Sequence, residues 1–329
     1  MNRFGAAILG VQGTELDITE RDFFKASNPF GFILFNRNLE DVDQIRALTS
    51  DLRSCVGHDV PILIDQEGGR VQRLRSPLAT EWLPPLDDVQ RLGANGARGM
   101  YLRYAIIGLE LQSYGIDANC APQLDIARAA THPFLRNRCY GDTLGKVVEI
   151  GKAVEAGLEA AGVYPIIKHM PGHGLAQIDS HRDVPRITEA RDMLEIDDFA
   201  AFKPFANCAM GMTAHLSFEA IDPQPATISR TMLDLIRNDI GFNGLLMTDD
   251  IGMEALDGTI PERSEASLKA GCDVVLCCNS DLAEMMAVMD RIGEMPDASQ
   301  IRAEAALTAR PKPTELDIAA LRAEFEALI

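Results

Sequence analysis

The sequence predicts an α/β fold, a single (β/α)₈ TIM-type barrel, and three observations lead there. Short, continuously apolar, β-branched runs alternate with longer amphipathic stretches along the chain, the pattern of a parallel sheet covered on both faces. There are eight such units, which favours a closed barrel over an open doubly wound sheet. Five of the runs end in reactive side chains: Asp65-Gln66-Glu67, Asp125, Lys168-His169, His215 and Asp249-Asp250. A parallel barrel gathers all its strand C-termini on one face, and that face carries the active site. Strand ends meeting water would explain one polar terminus, but not five bearing acids, histidines or a lysine.

Taken in order, the expected strands are Ala6–Val11, Gly31–Phe35, Pro61–Asp65, Ile116–Ala121, Tyr164–His169, Ala209–His215, Gly244–Asp249 and Asp273–Cys278. Helix-like segments between them include Leu39–Val56, Gly96–Tyr114, Leu144–Ala161 and Arg230–Asp239. Pro311 and Pro313 mark a break before a final helix, Thr314 to Ile329. Average domain size would divide 329 residues in two, but α/β barrels of this length fold as one unit. One catalytic domain over residues 1–329 is therefore expected.

The charge balance, 31 basic against 49 acidic residues, gives no electrostatic help towards nucleic acid or an anionic membrane. The expected partner is a small molecule, with no nucleic acid and no membrane; the oligomeric state is left open. No window approaches the apolar length of a membrane span. The short apolar run from Ala6 lacks a cleavage pattern and is followed at once by acidic residues, so it reads as a first strand, not a signal peptide. The seven cysteines are scattered without a paired CxxC spacing. That speaks against a zinc ribbon and for a reducing, cytoplasmic setting.

Three constellations carry the chemistry. In Asp65-Gln66-Glu67-Gly68-Gly69-Arg70-Val71-Gln72-Arg73, a strand-end aspartate can accept hydrogen bonds from vicinal hydroxyls while Arg73 closes a clamp; a Gly-Gly turn between ion-paired residues is the plainer alternative. The segment Lys168 to Asp183 holds three histidines and two aspartates in sixteen residues. Asp179 and His181 are two apart, near enough for a carboxylate–imidazole bond that fixes the tautomer and raises basicity. The spacing forms no helical HxxxH pair and the loop is rich in Gly and Pro, so neither metal nor cofactor is expected. The loop from Pro171 to Asp183 is expected to be mobile when the site is empty. In Leu245-Leu246-Met247-Thr248-Asp249-Asp250, the two carboxylates point to opposite sides of a strand. Asp249 faces the barrel axis if Leu245 and Met247 do; Asp250 is the fallback, and helix capping is the alternative role for either.

Together these residues resemble the bacterial β-N-acetylglucosaminidases (β-hexosaminidases) of glycoside hydrolase family 3, of the single-domain type that acts in muropeptide recycling. The resemblance runs from Gly31-Phe32-Ile33-Leu34-Phe35 to Ala270-Gly271-Cys272-Asp273, and its most specific piece is Lys168-His169-x-Pro171-Gly172-His173-Gly174 followed by Asp179-Ser180-His181. The chain also ends where a one-domain member would, without room for the second domain of larger β-glucosidases. The resemblance implies Asp249 as nucleophile and His181 as general acid/base held by Asp179. It implies Asp65, Arg73, Arg138, Lys168 and His169 as sugar-binding residues. Met170 and Tyr140 stand where Phe is more usual in the family, and Gly252 where Ser is, which leaves fine specificity open.

The implied reaction is hydrolysis, with retention, of terminal β-1,4-linked N-acetylglucosamine on cytoplasmic muropeptides, through a covalent glycosyl-enzyme. Three alternatives stand beside it. A neutral histidine base would tolerate phosphate as acceptor, making the enzyme a phosphorylase. The same scaffold supports β-glucosidase specificity. A catalytically silent sugar-binding barrel would keep Arg73, Arg138 and Lys168 but need neither Asp249 nor His181.

Overall fold

The computed structural model describes residues 3–178 and 184–329. Eight strands close into a barrel: β1 (Gly5–Gly10), β2 (Pro29–Leu34), β3 (Ile62–Ile64), β4 (Ala118–Asn119), β5 (Tyr164–Met170), β6 (Met210–Thr213), β7 (Leu245–Asp250) and β8 (Val274–Cys277). Spatial order follows chain order, β8 closes on β1, and every pairing around the ring is parallel. The expected (β/α)₈ barrel is the fold observed.

A helix follows each strand: α1 (Ile18–Ser27), α2 (Val42–Cys55), α3 (Gly96–Ser113), α4 (Leu144–Ala160), α5 (Arg191–Ile196), α6 (Arg230–Leu235), α7 (Ile260–Ala270) and α8 (Leu282–Ile292). Two more, α9 (Asp297–Thr308) and α10 (Ile318–Ala327), come after the last unit. Local chemistry sets several starts. Asp17, Asp41 and Thr143 accept hydrogen bonds from first-turn N–H groups of α1, α2 and α4. Thr259 with Glu262, and Asp281 with Glu284, form reciprocal capping boxes at α7 and α8. Each such cap contributes about 1 kcal/mol.

The two-residue period of each strand sorts its side chains. Ala6 and Ile8, Tyr164 and Ile166, Met210 and Met212, Leu245 and Met247, and Val274 and Leu276 share one buried cluster that fills the barrel. Ala7, Leu9, Ile62 and Ile64 belong to the cluster beneath the helices. The barrel is thus a packed core with its polar groups at one end.

Most element boundaries shift by a few residues from the sequence expectation, and two of the shifts have a clear local cause. The fourth strand, expected over Ile116–Ala121, pairs regularly only at Ala118–Asn119. Pro122 has no N–H for the ladder, and the chain beyond it bonds irregularly, with the Lys168 N–H donating to the Pro122 carbonyl at 3.0 Å and the Leu124 N–H to the Lys168 carbonyl at 2.7 Å. The last helix starts at Ile318, not Thr314, because Asp317 accepts from the N–H groups of Ala319 and Ala320. It lays Phe325 edge-on against Trp82, ring centres 5.1 Å apart. All seven cysteines are buried and unbridged. Among the described residues, no helix is long and apolar enough to cross a membrane.

Candidate active site

The C-terminal strand ends open into a pocket of about 370 Å³, within the usual size range of small-molecule sites. Asp65, Arg73, Arg138, Lys168, His169 and Asp249 all line it, although they lie up to 184 positions apart in sequence. Asp179 and His181 lie outside the described residues.

One wall is a buried charge network. Lys168, on β5, places Nζ 3.0 Å from Asp65 Oδ1 and 2.6 Å from Glu67 Oε1. Arg138 grips Glu67 with two parallel bonds, Nε to Oε2 at 2.9 Å and Nη2 to Oε1 at 2.7 Å. Arg73 donates to Asp65 Oδ2 at 3.0 Å. Burial alone would raise the carboxyl pKa values, but the neighbouring cations outweigh it. Lys168 and Arg73 hold Asp65 far below the usual carboxylate range, and Arg138 and Lys168 bring Glu67 down to about 2. Burial would likewise lower Lys168, yet Asp65 and Glu67 hold it above the usual lysine range. Three cations thus face two carboxylates, all ionised. Each Asp65 oxygen keeps a lone pair for a ligand hydroxyl.

A two-stranded ribbon, Gln66–Gly68 against Val71–Gln72, holds Glu67 in place. Its turn requires glycine: Gly68 has φ +111°, and a Cβ there would sit 2.0 Å from Arg103 Nη2. Arg103 is fully buried, paired with Asp88, and donates to the carbonyls of Glu67 and Leu83.

On β7, Leu245 and Met247 do point into the barrel, and Asp249 shares their parity. Its Oδ1 accepts the Asp250 N–H at 2.8 Å. Burial opposes ionisation, but the neighbouring His169 and His215 rings and that N–H bond hold its pKa below the usual value. Asp250 also lines the pocket, so the two carboxylates are not separated as strictly as strand alternation suggests. Asp250 is committed, however: Oδ1 accepts from the N–H groups of Gly252 and Cys278 at 3.1 and 3.2 Å, and Oδ2 from Asn279 at 3.2 Å. Burial raises its pKa. Of the two, Asp249 is the carboxylate whose pKa is held below the usual value, and Asp250 the one engaged by three donors.

His215, one of the five strand-end residues, is fully buried. Its Nδ1 meets Thr227 Oγ1 at 2.8 Å and its Nε2 the Asp250 carbonyl at 3.0 Å. It braces the backbone that presents Asp249 and does not line the pocket.

The sequence left Glu67 and Asp125 without roles, and the structure gives each of them, and His173 beside them, a place. Asp125, fully buried, takes His169 Nδ1 on Oδ2 at 2.8 Å and the His173 N–H on Oδ1 at 2.7 Å. Burial would raise its pKa, but His169 outweighs that and keeps it below the usual value. His173 lines the pocket beside His169, and burial, with the neighbouring His169 adding to it, brings it down to about 4. The signal for Glu67 was its two-residue offset from Asp65, which keeps both on one side of an extended chain. Nothing local marks Asp125 as more than a strand end.

The start of the Pro171–Asp183 loop is not the mobile segment expected from its composition. Pro171 to Gly174 are buried, Thr131 Oγ1 donates to the Gly174 carbonyl at 2.5 Å, and the His132 N–H donates to the Ala176 carbonyl at 2.9 Å. A Cβ on Gly174 would lie 2.0 Å from the Ile126 carbonyl oxygen, so the loop packs there because the residue is glycine. Tertiary contacts, invisible to local propensity, pin it. Among the described residues, no three His, Cys, Asp or Glu side chains cluster as metal ligands.

The chain matches the glycosyl hydrolase family 3 N-terminal domain over residues 9–308. It belongs to glycoside hydrolase family 3. Similar curated proteins include a β-hexosaminidase of Tolumonas auensis, 35% identical over 311 residues that cover 92% of this chain and 90% of that one. Another from Stenotrophomonas maltophilia is 35% identical over 84% of each chain. Among solved structures, NagZ from Neisseria gonorrhoeae in complex with N-trifluoroacetyl-D-glucosamine is similar, at 28% identity and a TM-score of 0.84, covering 99% of this chain and 96% of that one. As a family 3 member the chain is a glycoside hydrolase, and its pocket occupies the face where (β/α)₈ enzymes carry their chemistry.

Proposed function

We propose that this glycoside hydrolase is an exo-acting β-N-acetylglucosaminidase that works with retention, with Asp249 as nucleophile and His181, oriented by Asp179, as general acid and then general base. The observation that carries the reading is the state of Asp249: an ionised carboxylate in the pocket, one oxygen anchored by a backbone N–H, opposite a wall of three cations and two carboxylates. Attack on the anomeric carbon forms the glycosyl-enzyme while His181 protonates the departing oxygen. His181 then takes a proton from water, which displaces Asp249 and restores the β configuration.

Asp65, Arg73, Arg138, Lys168 and His169 would hold the terminal sugar. Lys168 also contributes to keeping Asp249 ionised, so binding and nucleophile share one field. Ile33, Met212 and Leu276 belong both to the pocket lining and to the barrel core beneath it. A floor of that kind admits a chain end but not a through-running polymer, which supports exo action. The N-acetyl preference is supported by the β-hexosaminidase relatives, and terminal β-1,4-linked N-acetylglucosamine on muropeptides in the cytoplasm is the substrate we assign. Hydrolysis of p-nitrophenyl β-N-acetylglucosaminide should exceed that of the matching glucoside by at least about 100-fold, within the range that pocket contacts to one distinguishing group supply. Preference for the glucoside, or turnover of neither, would overturn the assignment.

A further inference from the structure

We infer that Asp125 is a positioning residue that decides which nitrogen of His169 carries the proton, and so presents Nε2 to the sugar pocket as a hydrogen-bond acceptor. The inference rests on the reading of this pocket as a glycosidase site, but its geometry stands apart from that reading.

The two oxygens of Asp125 have different duties. Oδ1 is taken by the backbone N–H of His173 at 2.7 Å, an obligatory donor in a buried place. Oδ2 faces His169 Nδ1 at 2.8 Å. An ionised carboxylate can only accept, so the proton of a singly protonated His169 ring lies on Nδ1 and Nε2 carries the lone pair. The carboxylate cannot turn away: it is fully buried, and the chain on either side is locked, Leu124 and Ala127 donating to the carbonyls of Lys168 and Gly141. His169 in turn lines the pocket together with Asp249. A proton moved to Nε2 would face the pocket, opposing a sugar hydroxyl that donates there.

The same geometry makes Asp125→Asn a sharp probe. The His173 N–H claims the single amide oxygen, which forces the amide NH₂ against His169 Nδ1. Nδ1 must then accept, and the ring proton moves to Nε2. The substitution is nearly isosteric, yet it inverts the hydrogen-bonding character of the ring edge seen by the sugar.

Nitrogen-15 histidine labelling and long-range nitrogen–proton correlation spectra read the tautomer directly, at a pH where the ring holds one proton. The His169 signals are identified by their absence in His169→Gln. The wild-type protein should show the Nδ1–H form and Asp125→Asn the Nε2–H form. For the p-nitrophenyl N-acetylglucosaminide, KM of Asp125→Asn should rise about 10–100-fold, the effect of one mismatched buried hydrogen bond. A merely structural role would lower the active fraction and leave KM unchanged. Wild-type His169 in the Nε2–H form overturns the inference even if Asp125→Asn does not fold, and so does an unchanged tautomer or an unchanged KM in a folded variant. A wild-type enzyme inactive on the glycoside would instead remove the glycosidase reading and leave the tautomer result standing.

Discussion

Replacing Glu67 by Gln tests how the sugar-binding wall is held together. The side chain is almost fully buried and receives three charge-assisted bonds of 2.6–2.9 Å from Lys168 and Arg138. Its carboxyl is drawn from 4.5 to about 2, which at about 1.4 kcal/mol per tenfold change in ionisation corresponds to roughly 3 kcal/mol. That agrees with the 3–5 kcal/mol typical of removing one member of a buried ion pair. Unfolding entropy of about 2.1 cal/mol/K per residue, over a chain of this length, turns 3 kcal/mol into a fall in Tm of about 4 °C. Because the folded pKa is depressed, this contribution is fully present above pH 4.5 and is lost as pH falls towards 2. The acid limb of Glu67→Gln should therefore be flatter between those values. The groups facing the carboxylate are Arg138 and Lys168, which favour ionisation, and Asp65, which opposes it. Calorimetry across pH 2–7 measures both effects. A variant with wild-type Tm at pH 7 and a wild-type acid limb would refute the network as described.

Asp249→Ala should abolish turnover, whereas Asp250→Asn, which keeps an acceptor for Gly252 and Cys278, should stay within about tenfold of wild-type kcat. His181→Ala should slow an oligosaccharide substrate about 10²–10⁴-fold more than a p-nitrophenyl glycoside, whose leaving group barely needs protonation, and Asp179→Asn should reproduce part of that contrast. Equal slowing of both substrates would make His181 a binding residue and bring His173 forward. Chelation with EDTA should leave kcat unchanged, and added phosphate should yield no sugar 1-phosphate; activity lost to EDTA and restored by zinc or magnesium, or phosphate-dependent release, would change the chemistry assigned.

Much of the fold and part of the pocket were legible in the sequence, because both obey short-range rules. Apolar runs ending in Asp65, Lys168-His169 and Asp249 mark strand ends, and a parallel barrel has only one place to put them. Inward parity at Leu245 and Met247 extended two residues to reach Asp249. The network behind these residues was not legible. Arg138 meets Glu67 across 71 positions and Lys168 meets Asp65 across 103, separations at which no pattern in one chain names the partner. His215 looked like Lys168 in sequence, a polar residue closing an apolar run, but Thr227 and the Asp250 carbonyl consume it. The loop beyond Pro171 carries the composition of a mobile segment, yet Asp125, Thr131 and the Ile126 backbone pin its first turn. Asp250, the neighbour that parity alone could not dismiss, is set aside by three donors from outside its own strand.

The central claim is that Asp249 forms a covalent bond to the anomeric carbon. Trapping with a 5-fluoro N-acetylglucosaminyl fluoride, which forms the glycosyl-enzyme faster than water releases it, followed by peptide mapping, measures this directly. The account predicts one sugar per chain on the peptide containing Leu245–Asp250, with fragment ions placing it on Asp249; label on Asp250, or full turnover of the analogue with no adduct at any time, would contradict it.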